Sequence, residues 1–234
     1  MATLEMLELY PSPYSERLRW VLDAKGVPYT RRPYQIIAGE EQLRGATGFS
    51  TVPVLFADGR IIGDSNASAD WIESEHPTPP LLPAEPRARA QVRALELAAT
   101  EAMAPFARLM MIGRWQQLGL APLAEHFAAK YGWSAHTERQ AKAVVEAFVP
   151  DLARAVTAAP YLVGDRFTRA DLTVAALLAT VMGHPGDDLF ELDAATRPMF
   201  SPVIDDEETL ATLRGWRDGI YRKHRGRRVT PAAT

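Results

Sequence analysis

Apolar and polar positions change their period several times along the 234-residue chain. Leu4 to Tyr10 alternate loosely, as a short strand does, and Pro11-Ser12-Pro13 ends the alternation. From Pro13 to Lys25 the apolar Leu18, Val21 and Leu22 recur at helical spacing, and Lys25-Gly26 is a good helix ending. Tyr29 to Ile36 suits a second strand, and Ala38 to Phe49 reads as irregular. Val52 to Phe56 and Arg60 to Ile62, joined by Asp58-Gly59, predict a hairpin with a two-residue turn; Asn66 to Glu75 predicts a short helix. The first 75 residues therefore read as strand, helix, strand, hairpin, helix, a small α/β unit.

The pattern then breaks. Prolines 77, 79, 80, 83 and 86 forbid regular structure between His76 and Pro86, which predicts an interdomain linker. Everything beyond it looks helical. Val92, Leu95, Ala99, Ala102, Phe106 and Leu109 repeat at three and four residues along one long helix, with a kink expected at Pro105. Further helical patterns run from Thr137 to Thr157, Thr168 to Met182 and Glu207 to Arg222. The expected division is an α/β domain over 1–76, a proline-rich linker over 77–86 and an all-helical domain over 87–234.

Composition narrows the function classes. The formal net charge of -3 gives no reason to expect nucleic acid or an anionic membrane surface as partner, and no apolar run approaches the roughly 18 residues of a membrane span. The acidic residues of MATLEMLELY are unlike a secretory signal, so a cytoplasmic location is expected. The chain has no cysteine: it can build neither a disulfide nor a thiolate zinc site, and thiol chemistry would need a sulfur brought by a ligand. The five histidines show no metal spacing, and no metal is expected. The run Arg222-Lys223-His224-Arg225-Gly226-Arg227-Arg228 reads as a solvated basic tail.

Three short segments carry candidate chemistry, each with a plainer structural reading. Ser12 before Pro13 is a natural N-cap; the same helix mouth favours an anion, and the serine proton is available to a bound thiol, favouring thiolate over thiol. Proline at Val52-Pro53 either marks an edge strand or forms a cis peptide that turns the Val52 backbone towards an extended ligand. Asp64-Ser65 either caps the next helix or offers a carboxylate to a ligand ammonium and an amide and hydroxyl to a ligand carboxylate.

Taken in order, these segments resemble the glutathione transferase superfamily along nearly the whole chain. Ser12-Pro13-Tyr14-Ser15-Glu16-Arg17-Leu18-Arg19 is similar to the serine-type pattern, Thr51-Val52-Pro53-Val54-Leu55 to the cis-proline motif, and Asp64-Ser65-Asn66-Ala67-Ser68 to the acidic-Ser segment that follows it. Pro79-Pro80-Leu81-Leu82-Pro83 resembles the family linker, and Gly164-Asp165-Arg166-Phe167-Thr168-Arg169-Ala170-Asp171 its N-capping box, a folding element.

The resemblance implies a thioredoxin-like N-terminal domain followed by an all-α domain, with glutathione as co-substrate and a homodimer as the assembly. It implies that Ser12 stabilises the glutathione thiolate, that Val52 holds the cysteinyl part through its backbone with Pro53 fixing the geometry and Thr51 beside them in the glutathione site, and that Asp64 and Ser65 hold the γ-glutamyl end. Tyr14, Arg108, Met111 and Trp115 are then candidates for the electrophile pocket, with Met103, Phe106 and Met110 divided between pocket and core. Ser15, Tyr10 and Tyr14 are rival thiol activators, and Arg17 and Arg19 either add positive potential near the sulfur or form surface salt bridges.

The chain also departs from the family pattern. Thr51 stands where many relatives have a basic residue, and Gly39-Glu40-Glu41 where another is common, which leaves Arg44 as either a substitute partner for the glycyl carboxylate or a solvated arginine. Phe49 is either a key for a partner subunit or a local anchor. The reading that follows is a glutathione transferase acting on small hydrophobic electrophiles. The alternatives are a glutathione-dependent isomerase or dehalogenase, and a non-catalytic binding protein on the same fold.

Overall fold

The computed structural model describes residues 4–226, 229, 230 and 232. Its N-terminal part is a four-stranded sheet in the order β2-β1-β3-β4, built from β1 (Glu5–Glu8), β2 (Thr30–Pro33), β3 (Val54–Ala57) and β4 (Arg60–Ile62). β1 runs parallel to β2, with Met6 opposite Arg31, and antiparallel to β3, with Met6 opposite Leu55. The β3–β4 hairpin closes at Asp58-Gly59, both at positive φ as a two-residue hairpin turn requires.

Helix α1 (Pro13–Ala24) crosses between β1 and β2, and α3 (Ser65–Glu75) follows the hairpin. From Ser15 to Leu22 every residue of α1 is buried, charged ones included, because the helix lies between the sheet and the helical part. The stretch expected to be irregular holds α2 (Glu40–Thr47), ended by Gly48 in the left-handed conformation at φ 77°. Leu43 is its only buried residue, so α2 has no apolar stripe from which a helical period could be read.

No helix or strand occupies residues 77–85, and α4 (Pro86–Leu97) opens with Glu85 accepting hydrogen bonds from the Arg87 and Ala88 amides. The long helix is interrupted, but not by a simple kink at Pro105. A π-helical stretch over 98–103 separates α4 from α5 (Ala104–Gln117). Pro105 has no N–H, and in an unbroken α-helix its ring would press on the carbonyl of Glu101, four residues back; the wider turns upstream accommodate both facts. α6 (Ala121–Tyr131), not expected from the sequence, comes next, then α7 (Ala135–Ala158), α8 (Arg169–Leu177), α9 (Ala179–Met182) and α10 (Glu207–Ile220). Asp171 accepts from the Thr168 amide at 2.8 Å and hydroxyl at 2.9 Å, the bonds of the expected capping box.

Met103, Ala107, Val145, Val149, Leu177 and Leu213 join α5, α7, α8 and α10 in the main helical core. A second core is shared between the two parts: Met6, Leu18, Trp20, Leu22 and Leu55 pack with Leu172, Ala175 and Tyr221. At about 1.5–3 kcal/mol for each large side chain removed from water, this shared core holds the sheet and the helices together.

The basic C-terminal run is not a solvated tail where it is described. Arg225 is buried and donates to Glu16 and Asp23, and Lys223 donates to the Tyr161 hydroxyl at 2.6 Å. Arg227 and Arg228 lie outside the described residues, as do the first three residues of the N-terminal segment. Among the described residues no helix is long and apolar enough to cross a membrane.

Candidate active site

A cavity of about 300 Å³ opens where the C-terminal end of β1, the mouth of α1 and the Ser50–Pro53 segment face α5 and α6. Ser12 stands at its base as the residue before α1, and its surroundings fix its backbone carbonyl by carbonyl. The Ser12 amide donates to Leu9 O at 2.9 Å, Arg19 Nη2 to Tyr10 O at 3.0 Å, His184 Nε2 to Pro11 O at 2.8 Å and the Glu16 amide to Ser12 O at 2.9 Å. The Ser12 side chain, by contrast, makes no capping bond. The expected hydroxyl cap is therefore absent: Ser12 caps through its carbonyl only, and its Oγ is left on the cavity wall beside the amide-rich end of α1, where an anion is favoured.

The rival activators are buried or engaged elsewhere. Ser15 is buried and is not on the cavity wall. Tyr14 is on the wall, but its hydroxyl donates to Thr100 O at 2.8 Å and burial pushes its pKa up to about 12. Tyr10 donates to the carbonyls of Glu191 and Val229, and burial raises its pKa as well. His184 donates from Nε2, is stacked on Phe190, and is held neutral: burial lowers its pKa to about 3, with Arg217, Arg19 and Arg197 adding to the effect.

Opposite Ser12, the Val52–Pro53 peptide is cis, and Ser50, Thr51, Val52 and Pro53 all line the cavity. Strand pairing begins only at Val54, so the Val52 main chain lies outside the ladder. At the mouth of α3, Asp64 adopts φ 66°, uncommon for a residue other than glycine, and its Oδ1 accepts from the Asn66 and Ala67 amides at 2.7 and 3.0 Å. Asp64 thus caps the helix with one oxygen and lines the cavity at the same time. Ser65 beside it is buried, and its Oγ accepts from Arg17 Nη1 at 2.9 Å. Arginine can only donate, so the Ser65 proton remains free to donate onwards.

Arg17 and Arg19 do not form surface salt bridges; both are fully buried. Arg17 Nη2 lies 2.8 Å from Glu96 and its Nε donates to Thr173 at 2.8 Å, while Arg169 binds the same Glu96 and Asp70. Arg19 is paired with Glu16 and Glu8. Runs of charge on a helix ordinarily face solvent, so nothing in the local pattern marked these as interior.

On the other wall stand Arg108, Met111 and Trp115 of α5, whereas Met103 and Met110 lie in the helical core and Phe106 packs against it. Arg108 has no ion-pair partner among the described residues; its guanidinium lies 4.3 Å from the Tyr131 ring centre and 5.3 Å from that of Tyr14. Sequence reading missed the whole contribution of α6, namely Leu123, His126, Phe127, Lys130 and Tyr131. A signal was available: Leu120, Leu123, Ala124, Phe127, Ala128 and Tyr131 recur at three- and four-residue spacing and pack against Met111, Ile112 and Trp115, with Leu123 and Phe127 half-buried at the cavity. Arg44 does not reach the wall: its side chain is 66% exposed and pairs with Glu40 at 3.3 Å. Phe49 acts as a local anchor, its ring packed so closely over Gly63 that a Cβ there would stand 2.4 Å away. Among the described residues no cluster of side chains has the makings of a metal site.

Residues 11–75 match the family model of the glutathione S-transferase N-terminal domain. The chain is 27% identical over 205 residues to a probable maleylacetoacetate isomerase of Caenorhabditis elegans, covering 86% of each. It is also 27% identical over 199 residues to the maleylacetoacetate isomerase of Rattus norvegicus, covering 83% of this chain and 82% of that one. Among solved structures, a glutathione S-transferase from Methylobacterium radiotolerans, in complex with glutathione sulfonate, superposes with a TM-score of 0.69 at 20% identity, covering 99% of this chain and 98% of the other. The family match spans the mouths of α1 and α3 and the cis-prolyl turn, so residues 11–75 belong to the glutathione S-transferase N-terminal domain family, on a fold that the whole chain shares with solved glutathione S-transferases.

Proposed function

We propose that this protein is a glutathione-dependent cis–trans isomerase of small unsaturated acids, with 1–76 as the glutathione-binding domain, 77–86 as linker and 87–234 as the domain that selects the acid. Conjugation of hydrophobic electrophiles, the reading favoured by the sequence alone, is the second choice; the maleylacetoacetate isomerases among its relatives support the isomerase. The observation that carries this choice is Arg108. A guanidinium without a carboxylate partner, held over two tyrosine rings in a half-closed cavity, suits an anionic substrate and is poorly matched to a purely apolar one.

In this reading Ser12 donates its proton to the glutathione sulfur and lowers the thiol pKa from about 8.5 towards neutrality. Val52 holds the cysteinyl main chain, and Asp64 and Ser65 take the γ-glutamyl ammonium and carboxylate. The thiolate adds to one carbon of the cis double bond of an acid whose carboxylate rests on Arg108. The π electrons move onto the conjugated carbonyl oxygen as an enolate, and the former double bond, now single, rotates. Collapse of the enolate re-forms the double bond in the trans geometry and expels the same thiolate. Glutathione is therefore a catalyst and is not consumed; the protein's part is positioning and charge stabilisation.

Incubation with maleylpyruvate and sub-stoichiometric glutathione, followed by proton NMR, tests this. Complete conversion to the trans isomer with glutathione recovered is expected, and Arg108→Leu should raise KM by about tenfold to a hundredfold, the range of a lost charge-assisted hydrogen bond. Accumulation of a stable conjugate, one per glutathione supplied, would favour the transferase reading.

A further inference from the structure

The cavity wall beside Ser50 carries positive charge supplied by the helical domain. Lys130 Nζ donates to the Ser50 carbonyl at 2.5 Å and stands 3.1 Å from Glu40 Oε1, and His126 Nε2 lies 3.1 Å from Glu40 Oε2. Both side chains are on α6 and both line the cavity. Arg44 approaches the same carboxylate from α2. One acidic side chain is therefore faced by three basic ones. Desolvation works against ionisation of Glu40, but Lys130, His126 and Arg44 together hold its carboxyl below the ordinary carboxylate range. An ammonium group has three protons to donate. In Lys130 one goes to Ser50 and one to Glu40, which leaves a third for a ligand.

The direction of a bound tripeptide fixes what that ligand group is. With the γ-glutamyl end at Asp64-Ser65 and the cysteinyl main chain at Val52, the glycyl end continues past Thr51 towards Ser50, where Lys130 stands. Three extended residues span about 10 Å, and Asp64, Ser65, Val52, Thr51, Ser50 and Lys130 all line the same cavity. The N-terminal domain has no base of its own to meet a carboxylate there: Thr51 is neutral, Glu40 and Glu41 are acidic, and Arg44 is off the wall.

We infer that Lys130, supported by His126, is the anchor for the glycyl carboxylate of glutathione, so that α6 of the helical domain completes the glutathione site and Glu40 positions the lysine. The inference rests on the glutathione reading above. It makes glutathione itself a bridge between the two domains, and it explains how a chain without the usual basic residues before Val52-Pro53 and near position 40 keeps its co-substrate.

Calorimetric titration of the full-length protein at pH 7 with glutathione and with its glycyl monoethyl ester tests this. Wild-type protein should bind glutathione about tenfold to a hundredfold more tightly than the ester. Lys130→Met should weaken glutathione by that factor, leave the ester unchanged and so close the gap, while Lys130→Arg should keep it. An equal loss for both ligands in Lys130→Met, the result of a purely structural lysine, overturns the inference, as does no loss for either. Binding of neither ligand by the wild-type protein sinks the glutathione reading itself, and this inference with it.

Discussion

At the scale of single residues, the site turns on Ser12, whose neighbours hold its backbone while its hydroxyl stays unengaged. A donor held in place before the charge appears costs no reorganisation when it does, and loss of one such donor typically lowers the rate about 10²–10³-fold. Ser12→Ala is therefore expected to lower turnover by that order and to return the pKa of bound glutathione, followed by the ultraviolet absorbance of its thiolate, towards about 8.5. Ser15→Ala should leave that titration where it is, because Ser15 points into the interior and off the cavity wall. The sequence favoured Ser12 without excluding Ser15; the structure puts Ser12, and not Ser15, on the cavity wall. Both sit at a helix start, and the packing of α1 against its neighbours distinguishes them.

Among elements, the joint between α1, α4 and α8 is polar at its centre. Arg17 on α1, Glu96 on α4 and Arg169 with Thr173 on α8 form a buried network, and Ser65 at the mouth of α3 hangs from it. A buried pair contributes little net stability compared with apolar residues of the same shape, but removing one partner strands the other charge, at a cost of about 3–5 kcal/mol. Glu96→Leu should thus lower the unfolding free energy by that amount in urea titration, through two arginines left without their shared carboxylate. The α1 and α3 mouths and the capping box of α8 were legible because each depends on a few adjacent residues, whereas the cis form of Val52-Pro53 was singled out from an edge-strand proline only by the family resemblance. α2 and α6 were missed: α2 buries a single side chain, and α6 buries only Ala124 fully, its larger apolar residues being shared between a small core with α5 and the cavity wall.

For the whole molecule, pH couples to folding through His184, which ties the helical domain to the loop that carries Ser12. Its folded pKa is depressed from 6.5 to about 3, so between these values the unfolded chain holds a proton that the folded one does not. Stability is therefore complete above about pH 6.5 and declines as the pH falls, by about 1.4 kcal/mol per unit. His224, also lowered by burial, acts with the same sign. Chemical denaturation at pH 7, 6 and 5 should show this slope in the wild type and a shallower one in His184→Phe, which keeps a ring against Phe190 and Phe200 but cannot titrate.

The sequence by itself determined what is local: the four strands with α1 and α3 in the first 75 residues, though not α2, the proline-rich connection, and the placement of Ser12, Val52-Pro53 and Asp64-Ser65 at turns and helix mouths. Such features follow from backbone rules that act over three or four residues. Tertiary structure alone decided what depends on distant elements meeting: the burial of Arg17 and Arg19, the unpaired Arg108 over Tyr131, and Lys130 reaching Ser50 from α6. A charged side chain reads the same in sequence whether it faces water, a buried partner or a ligand, and the difference lies entirely in which surfaces the fold brings against it.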